Sequence, residues 1–137
     1  MTDFELDSFT HSDAWRLGSA LVARCQKEQS PVTIGIWIAA QRVFHSALSG
    51  TSADNDSWVD RKVNTVRRFG YSSLQAQKRF GDMGHEFFTA FALSPSEYAV
   101  AGGAVPIFVR GSMVGVIGVS GLESAADHDL AVWALGQ

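Results

Sequence analysis

A chain of 137 residues with 46% hydrophobic residues and four tryptophans can bury a core without disulfide or metal staples, which excludes an intrinsically disordered segment. The formal net charge of -3 has the wrong sign for binding nucleic acid, so no such partner is expected. No stretch nears the roughly 20 apolar residues of a membrane helix, Met1–Asp7 lacks the basic-then-apolar order of a leader, and the lone Cys25 can form no internal disulfide; these features predict a cytoplasmic protein with no membrane partner.

In chain order, the first predicted helix runs from about Asp13 to Gln29. Thr10 and Asp13 have capping-box spacing, and Ala14, Leu17, Gly18, Leu21 and Cys25 share one face. Pro31 blocks continuation of that helix. Val32 to Ile38 then alternates, with Val32, Ile34, Ile36 and Ile38 on one side and Thr33, Gly35 and Trp37 on the other, as in a strand. Ala39-Ala40 can turn the chain into a second strand, Gln41 to Ala47, forming a hairpin. Leu48 to Ser57 is polar and reads as a loop. Ser57 and Asp60 then have the spacing of a capping pair that opens a second helix, with Val59, Val63 and Val66 as its core stripe and Gly70 as its C-cap.

Ser72 and Gln75 open a weaker third helix, interrupted by Gly81 and Gly84, and Phe87, Phe88 and Phe91 are expected to be buried. Ser94-Pro95-Ser96-Glu97 has the pattern of a helix start, but Gly102-Gly103 follows closely, so that helix is short. Ala104 to Val109 reads as a strand that Pro106 confines to a sheet edge or a strand start. Arg110-Gly111-Ser112 turns the chain into a strand from Met113 to Ser120, which Gly121 ends. Ser124 and Asp127 open the last helix, with Leu130, Trp133 and Ala134 facing inward. Hairpin-linked strands with intervening helices predict a mixed α/β (α+β) fold, residues 1–137 forming a single domain. Its antiparallel sheet is largely covered, because the strands are nearly continuous in apolar residues.

Standard catalytic templates are not met. Gly118-Val119-Ser120-Gly121 lacks the second glycine spacing of a nucleophile elbow, since Leu122 stands where glycine is needed. Gly115, Gly118 and Gly121 do not form a phosphate loop, and Asp54-Asn55-Asp56 is too short for a calcium loop. Cys25 falls on an apolar helix face and reads as a core thiol. The four histidines, His11, His45, His85 and His128, share no ligand spacing, and no metal centre is expected. Of these, His45 lies on a strand and can face a pocket. His128 lies in the first turn of the last helix, where a buried imidazole would tend to be neutral.

The second helix carries the most unusual signal. At about 100° per residue, Trp58, Lys62, Thr65 and Phe69 fall on one stripe beside the valine core, so Lys62 is the single charge on an apolar face. One reading is that its stem packs and its ammonium snorkels to water. The other is that it points into a cleft to meet an anionic group, with Asp54-Asn55-Asp56 as a polar wall. Gly102-Gly103, Gly115 and Gly118 admit a similar choice between close packing and a nearby ligand, with packing favoured.

Several stretches then carry a resemblance. Gly102-Gly103-Ala104-Val105-Pro106-Ile107, Arg110-Gly111, Val114 through Gly121 and Asp127-His128 together are similar to the signature of the haem-degrading domain family, which includes GlcG-like and HbpS-like proteins and the PduO C-terminal domain. Gly50 through Trp58 with Arg61-Lys62 resembles an uncharacterised cytosolic branch of it. The resemblance implies a profilin-like α-β-α sandwich on a mostly antiparallel sheet of about five strands, and homo-oligomers built from dimers. It also implies haem or another tetrapyrrole as a candidate cofactor.

The expected ligand-binding residues are Asn55, Trp58, Lys62, His45, Gly102, Gly103, Ser120 and His128. No catalytic residue can be named. The favoured function is an oligomeric domain that binds a small, anionic molecule; the alternatives are a haem-binding or haem-degrading protein and a non-enzymatic adaptor or structural assembly protein.

Overall fold

The computed structural model describes residues 4–137. Helix α1 (His11–Glu28) begins directly behind the Thr10 cap. The Thr10 side chain accepts from the Asp13 backbone while the Asp13 carboxylate accepts from the Thr10 backbone, so two orphan donors are satisfied at once. His11 and Ser12 therefore belong to the helix, which starts earlier than the sequence pattern implied. Its Ala14, Leu17, Gly18, Leu21 and Cys25 are all buried.

Strands β2 (Thr33–Ile38) and β3 (Gln41–Ala47) form the expected hairpin around Ala39, which takes a positive φ of 50°. Helix α2 (Ala53–Phe69) starts one turn before the Ser57–Asp60 pattern. Ser52 and Asn55 make a complete capping box there, and Ser57 and Asp60 lie inside the helix. The upstream box prevails because it adds a turn of backbone hydrogen bonds and places Asp54 and Asp56 at the positive end of the helix dipole. Gly70 closes α2 at φ 80°.

Helix α3 (Ser73–Phe80), capped by Ser72, and helix α4 (Glu86–Phe91) follow. Phe69, Phe80, Phe87 and Phe91 pack their rings with centroids 4.9–6.0 Å apart; of Phe87, Phe88 and Phe91, Phe87 is the one fully buried. The helix expected from Ser94-Pro95-Ser96-Glu97 is absent. The Ser94 carbonyl accepts from the backbones of Glu97 and Tyr98, making one turn, and the chain then runs without regular secondary structure to β4. Thr65 holds it there: its hydroxyl donates to the Ala99 carbonyl at 2.8 Å and accepts from the Ala99 backbone at 3.2 Å.

Strands β4 (Ala104–Val109) and β5 (Ser112–Ser120) are joined by Arg110-Gly111, both with positive φ, the mirror-image turn that matches strand twist. A two-residue strand not foreseen from the sequence, β1 (Glu5–Leu6), pairs in parallel with Phe108 and Val109. Among the described residues, no strand pairs with Pro106 on that side of β4, which suits a residue without an N–H to donate. The sheet order is β1-β4-β5-β2-β3, antiparallel apart from β1.

Helix α5 (Ser124–Leu135) ends the chain. Glu123 occupies its cap position without a side-chain bond, so Ser124 and Asp127 do not act as the expected capping pair. Leu130 and Ala134 are buried, whereas Trp133 is half-buried under the Arg24 guanidinium, 4.9 Å from its ring centre.

Strand alternation sends the two sheet faces to different cores. Ile34, Ile36, Val105, Ile107, Ile117 and Val119 pack on α1 and α5, while Trp37, Ala104 and Val116 pack on Val59, Val63 and Val66 of α2. The result is the helix–sheet–helix sandwich that the resemblance implied. Gly118 is explained by this packing: a Cβ there would lie 2.9 Å from Val59 Cγ1 and 3.0 Å from Val63 Cγ2. Close approach of α2, rather than a ligand, requires that glycine.

Candidate functional site

Helix α2 aims Lys62 past the end of the sheet where β4 begins and β5 finishes. The lysine is only 3% exposed, so it does not snorkel. Its Nζ donates to the Val119 carbonyl at 3.0 Å and to Asp127 Oδ2 at 3.1 Å. The other Asp127 oxygen accepts from the Leu122 backbone at 2.9 Å, which fixes the carboxylate's orientation. Burial pushes the Lys62 amine below its ordinary pKa and the Asp127 carboxyl above its own; in each case the partner's opposite charge pulls partway back. Both directions follow from taking two charges out of water.

Around this pair lies a depression of about 280 Å³, lined by Asp54, Asn55, Trp58, Lys62, Ala101, Ser120, Gly121, Leu122, Ser124 and Asp127. Asn55 serves two purposes there. Its Oδ1 accepts from the Ser52 backbone at 3.0 Å to cap α2, and its Nδ2 reaches the Ser120 hydroxyl at 3.5 Å. Trp58 stands on the rim, 36% exposed, with the Arg61 guanidinium 4.1 Å from its ring centre.

Gly102 and Gly103 form the packing behind the pair. A Cβ on Gly103, whose φ is 137°, would lie 2.7 Å from Lys62 Nζ and 3.0 Å from Asp127 Cβ. A Cβ on Gly102 would lie 2.7 Å from the Ser124 carbonyl. The two glycines thus let the backbone pass beside the ion pair.

Four of the residues expected from the sequence, Asn55, Trp58, Lys62 and Ser120, line the depression, and Gly102 and Gly103 back it. His45 and His128 do not belong to it. His45 Nε2 lies 2.6 Å from Asp56 Oδ1 at the surface, and the ring borders a separate depression beside Trp15 and Phe44. His128 follows Asp127 on α5, so the helical turn carries it to a different side. It lines a depression of about 460 Å³ with Phe4, Tyr71, Ser72, Leu74, Gln75, Lys78 and Arg79. Its Nδ1 is sealed and has no hydrogen-bond partner among the described residues. Burial holds its pKa below the ordinary value, with Asp129 opposing and Lys78 assisting.

Asp127 was missed as a site residue because its spacing from Ser124 imitated a cap. The available signal was Lys62 itself: an ammonium on a buried stripe needs a carboxylate partner somewhere in the chain. Among the described residues, no three His, Cys, Asp or Glu side chains converge to hold a metal ion, and no helix is long and apolar enough to cross a membrane.

Comparison with known proteins gives consistent matches. Residues 9–136 match the family described as haem degrading protein HbpS-like. A UPF0303 protein of Streptomyces avermitilis is 44% identical over 133 residues, which are 96% of this chain and 82% of that protein. The crystal structure of the Ybr137w protein superposes with a TM-score of 0.88 at 32% identity, covering 97% of this chain and 79% of that one. A complex described as PduOC with heme shares the fold, with a TM-score of 0.79 at 18% identity over 94% of each chain. The chain belongs to the family described as haem degrading protein HbpS-like, together with the UPF0303 proteins.

Proposed function

We propose that residues 1–137 act as one domain that binds a small molecule in the depression above Lys62 and Asp127. The observation that carries this reading is a buried ion pair lining an open hollow that also gathers Asn55, Trp58 and Ser120. Burying both charges is costly, and paired, perturbed ionisable groups that line a cleft cluster at functional sites. Trp58 and Leu122 offer apolar surface, and Ser120, Ser124 and Asp54 offer polar ends. An anionic ligand, as expected from the sequence, must share Lys62 with Asp127.

Thermal-shift titration with small carboxylates, phosphates, their neutral isosteres and common cofactors tests the reading. At least one class is expected to raise the melting temperature of the wild type and not that of Trp58→Ala, which alters only the rim. A flat response to every class would remove the proposal.

A second reading concerns haem, and the His128 depression favours it. An imidazole, two cationic side chains (Lys78 and Arg79) and the aromatic Phe4 and Tyr71 border one hollow of about 460 Å³. Those groups suit an iron ligand, two acidic substituents and a planar ring. If haem binds there, its Soret band shifts on mixing with the wild type and not with His128→Ala; an unshifted band ends this reading.

We further propose cytoplasmic residence and homo-oligomeric assembly. The single, buried Cys25 fits a reducing compartment. Trp15, 68% exposed beside Phe44, offers an apolar contact surface for a second copy.

A further inference from the structure

Lys62 carries a primary amine at the wall of an open hollow, with a carboxylate 3.1 Å away and little water around it. An ammonium has three donors, and two are engaged by Val119 and Asp127. Gly103 packs its backbone against the nitrogen, where a Cβ would stand 2.7 Å away, so a reactant reaches the amine from the hollow that Lys62 and Asp127 line. The Leu122 backbone anchors one oxygen of Asp127 and leaves the other to face the amine. A nucleophile, a fixed proton acceptor beside it and an opening for a reactant are what condensation of an amine with a carbonyl requires.

We propose that Lys62 forms an imine with an aldehyde or ketone ligand and that Asp127 relays the protons. This deepens the ligand-binding reading and rests on it. One ammonium proton passes to the Asp127 carboxylate, freeing the nitrogen lone pair. The lone pair attacks the carbonyl carbon, the carbon–oxygen π bond opens, and a proton passes from the now cationic nitrogen to the oxygen to give a neutral carbinolamine. The carbinolamine hydroxyl then leaves as water with the proton returned from Asp127, and the carbon–nitrogen double bond forms as a protonated imine. One water is released, Asp127 ends as it began, and no oxidant or reductant takes part. Outside the depression, the chain's remaining lysines are Lys27 and Lys78, both exposed.

The test uses the full chain with pyruvate or glycolaldehyde and cyanoborohydride at neutral pH, followed by peptide mass spectrometry. Accessibility alone predicts labelling of Lys27 and Lys78. The proposal predicts the reverse, with Lys62 reduced to a stable secondary amine about tenfold faster than either. Asp127→Asn, which keeps the shape without the proton acceptor, is expected to slow labelling of Lys62 and leave the other two unchanged. If that variant does not fold, the wild type decides: in the folded protein Lys62 is labelled faster than Lys27 and Lys78, and unfolding in urea abolishes that advantage. Labelling of Lys62 equal to or weaker than that of the exposed lysines overturns the proposal. Stabilisation by a carbonyl compound without an adduct overturns the imine and leaves the binding reading standing; no stabilisation and no adduct also overturns the imine, and the binding reading falls with it when the thermal-shift titration is flat for every ligand class.

Discussion

Lys62 of α2 and Asp127 of α5 meet at 3.1 Å around the end of the sheet, so helices from opposite faces are tied directly to each other. Removing one partner strands the other charge in the interior. Lys62→Met and Asp127→Ala are each expected to cost roughly 3–5 kcal/mol, whereas the double substitution recovers much of that loss because apolar side chains no larger than those they replace leave no charge stranded. Urea unfolding of the four proteins measures the coupling. Additive losses in the double variant would show that the two charges do not depend on each other.

Acid sensitivity should trace to His128. Burial holds this imidazole below its ordinary 6.5, so the folded state binds fewer protons than the unfolded chain in that range. Its contribution to stability is present above 6.5 and is lost as the pH falls through the lower folded value. Asp127, raised by burial, gives the opposite slope, so the informative quantity is the difference between proteins. Melting temperatures followed downward from pH 8 should decline more steeply for the wild type than for His128→Gln. Parallel curves would contradict the assignment.

Two glycines separate crowding from backbone strain. Gly111 and Gly103 both have positive φ, but a Cβ on Gly111 would meet nothing within 4 Å, whereas one on Gly103 would press on the Lys62 nitrogen and the Val119 carbonyl. Gly103→Ala is expected to lose at least about 2 kcal/mol more than Gly111→Ala. Equal losses in denaturant titrations would mean that the space beside the ion pair is not needed.

Assembly can be weighed directly. If a second copy covers Trp15, light scattering should give a mass above the 14.8 kDa of the single chain, and Trp15→Ser should lower it at equal concentration. A wild-type mass of one chain would discard the proposed homo-oligomer.

Local patterns were legible wherever the nearest neighbours in sequence are also the physical determinants. Alternation in Val32–Ile38 marked β2, the Thr10–Asp13 box opened α1, and Gly70 closed α2. The pattern failed where two local solutions competed. Ser52–Asn55 and Ser57–Asp60 are both capping signatures, and only the gain of an extra helical turn distinguishes them. It failed again where a distant side chain decided the outcome: Thr65 ties down both backbone groups of Ala99, and Ser94–Glu97 stops after a single turn. A strand as short as Glu5–Leu6 has no periodicity to read and exists because Phe108 and Val109 lie beside it.

From the amino-acid order alone came the alternating strands, the helical faces and the oddity of Lys62 on an apolar stripe, because these depend on repeats of about 2 and 3.6 residues. Which carboxylate answers that lysine depended on the closed fold. Asp127 lies 65 residues further along the chain, and only the crossing of β5 and α5 past the end of α2 brings the two together. The separation of Asp127 and His128 into two hollows was likewise set by the helix that carries both, packed between different neighbours on each side. Pairing over such a distance is a property of packing and solvent exclusion, which no local spacing encodes.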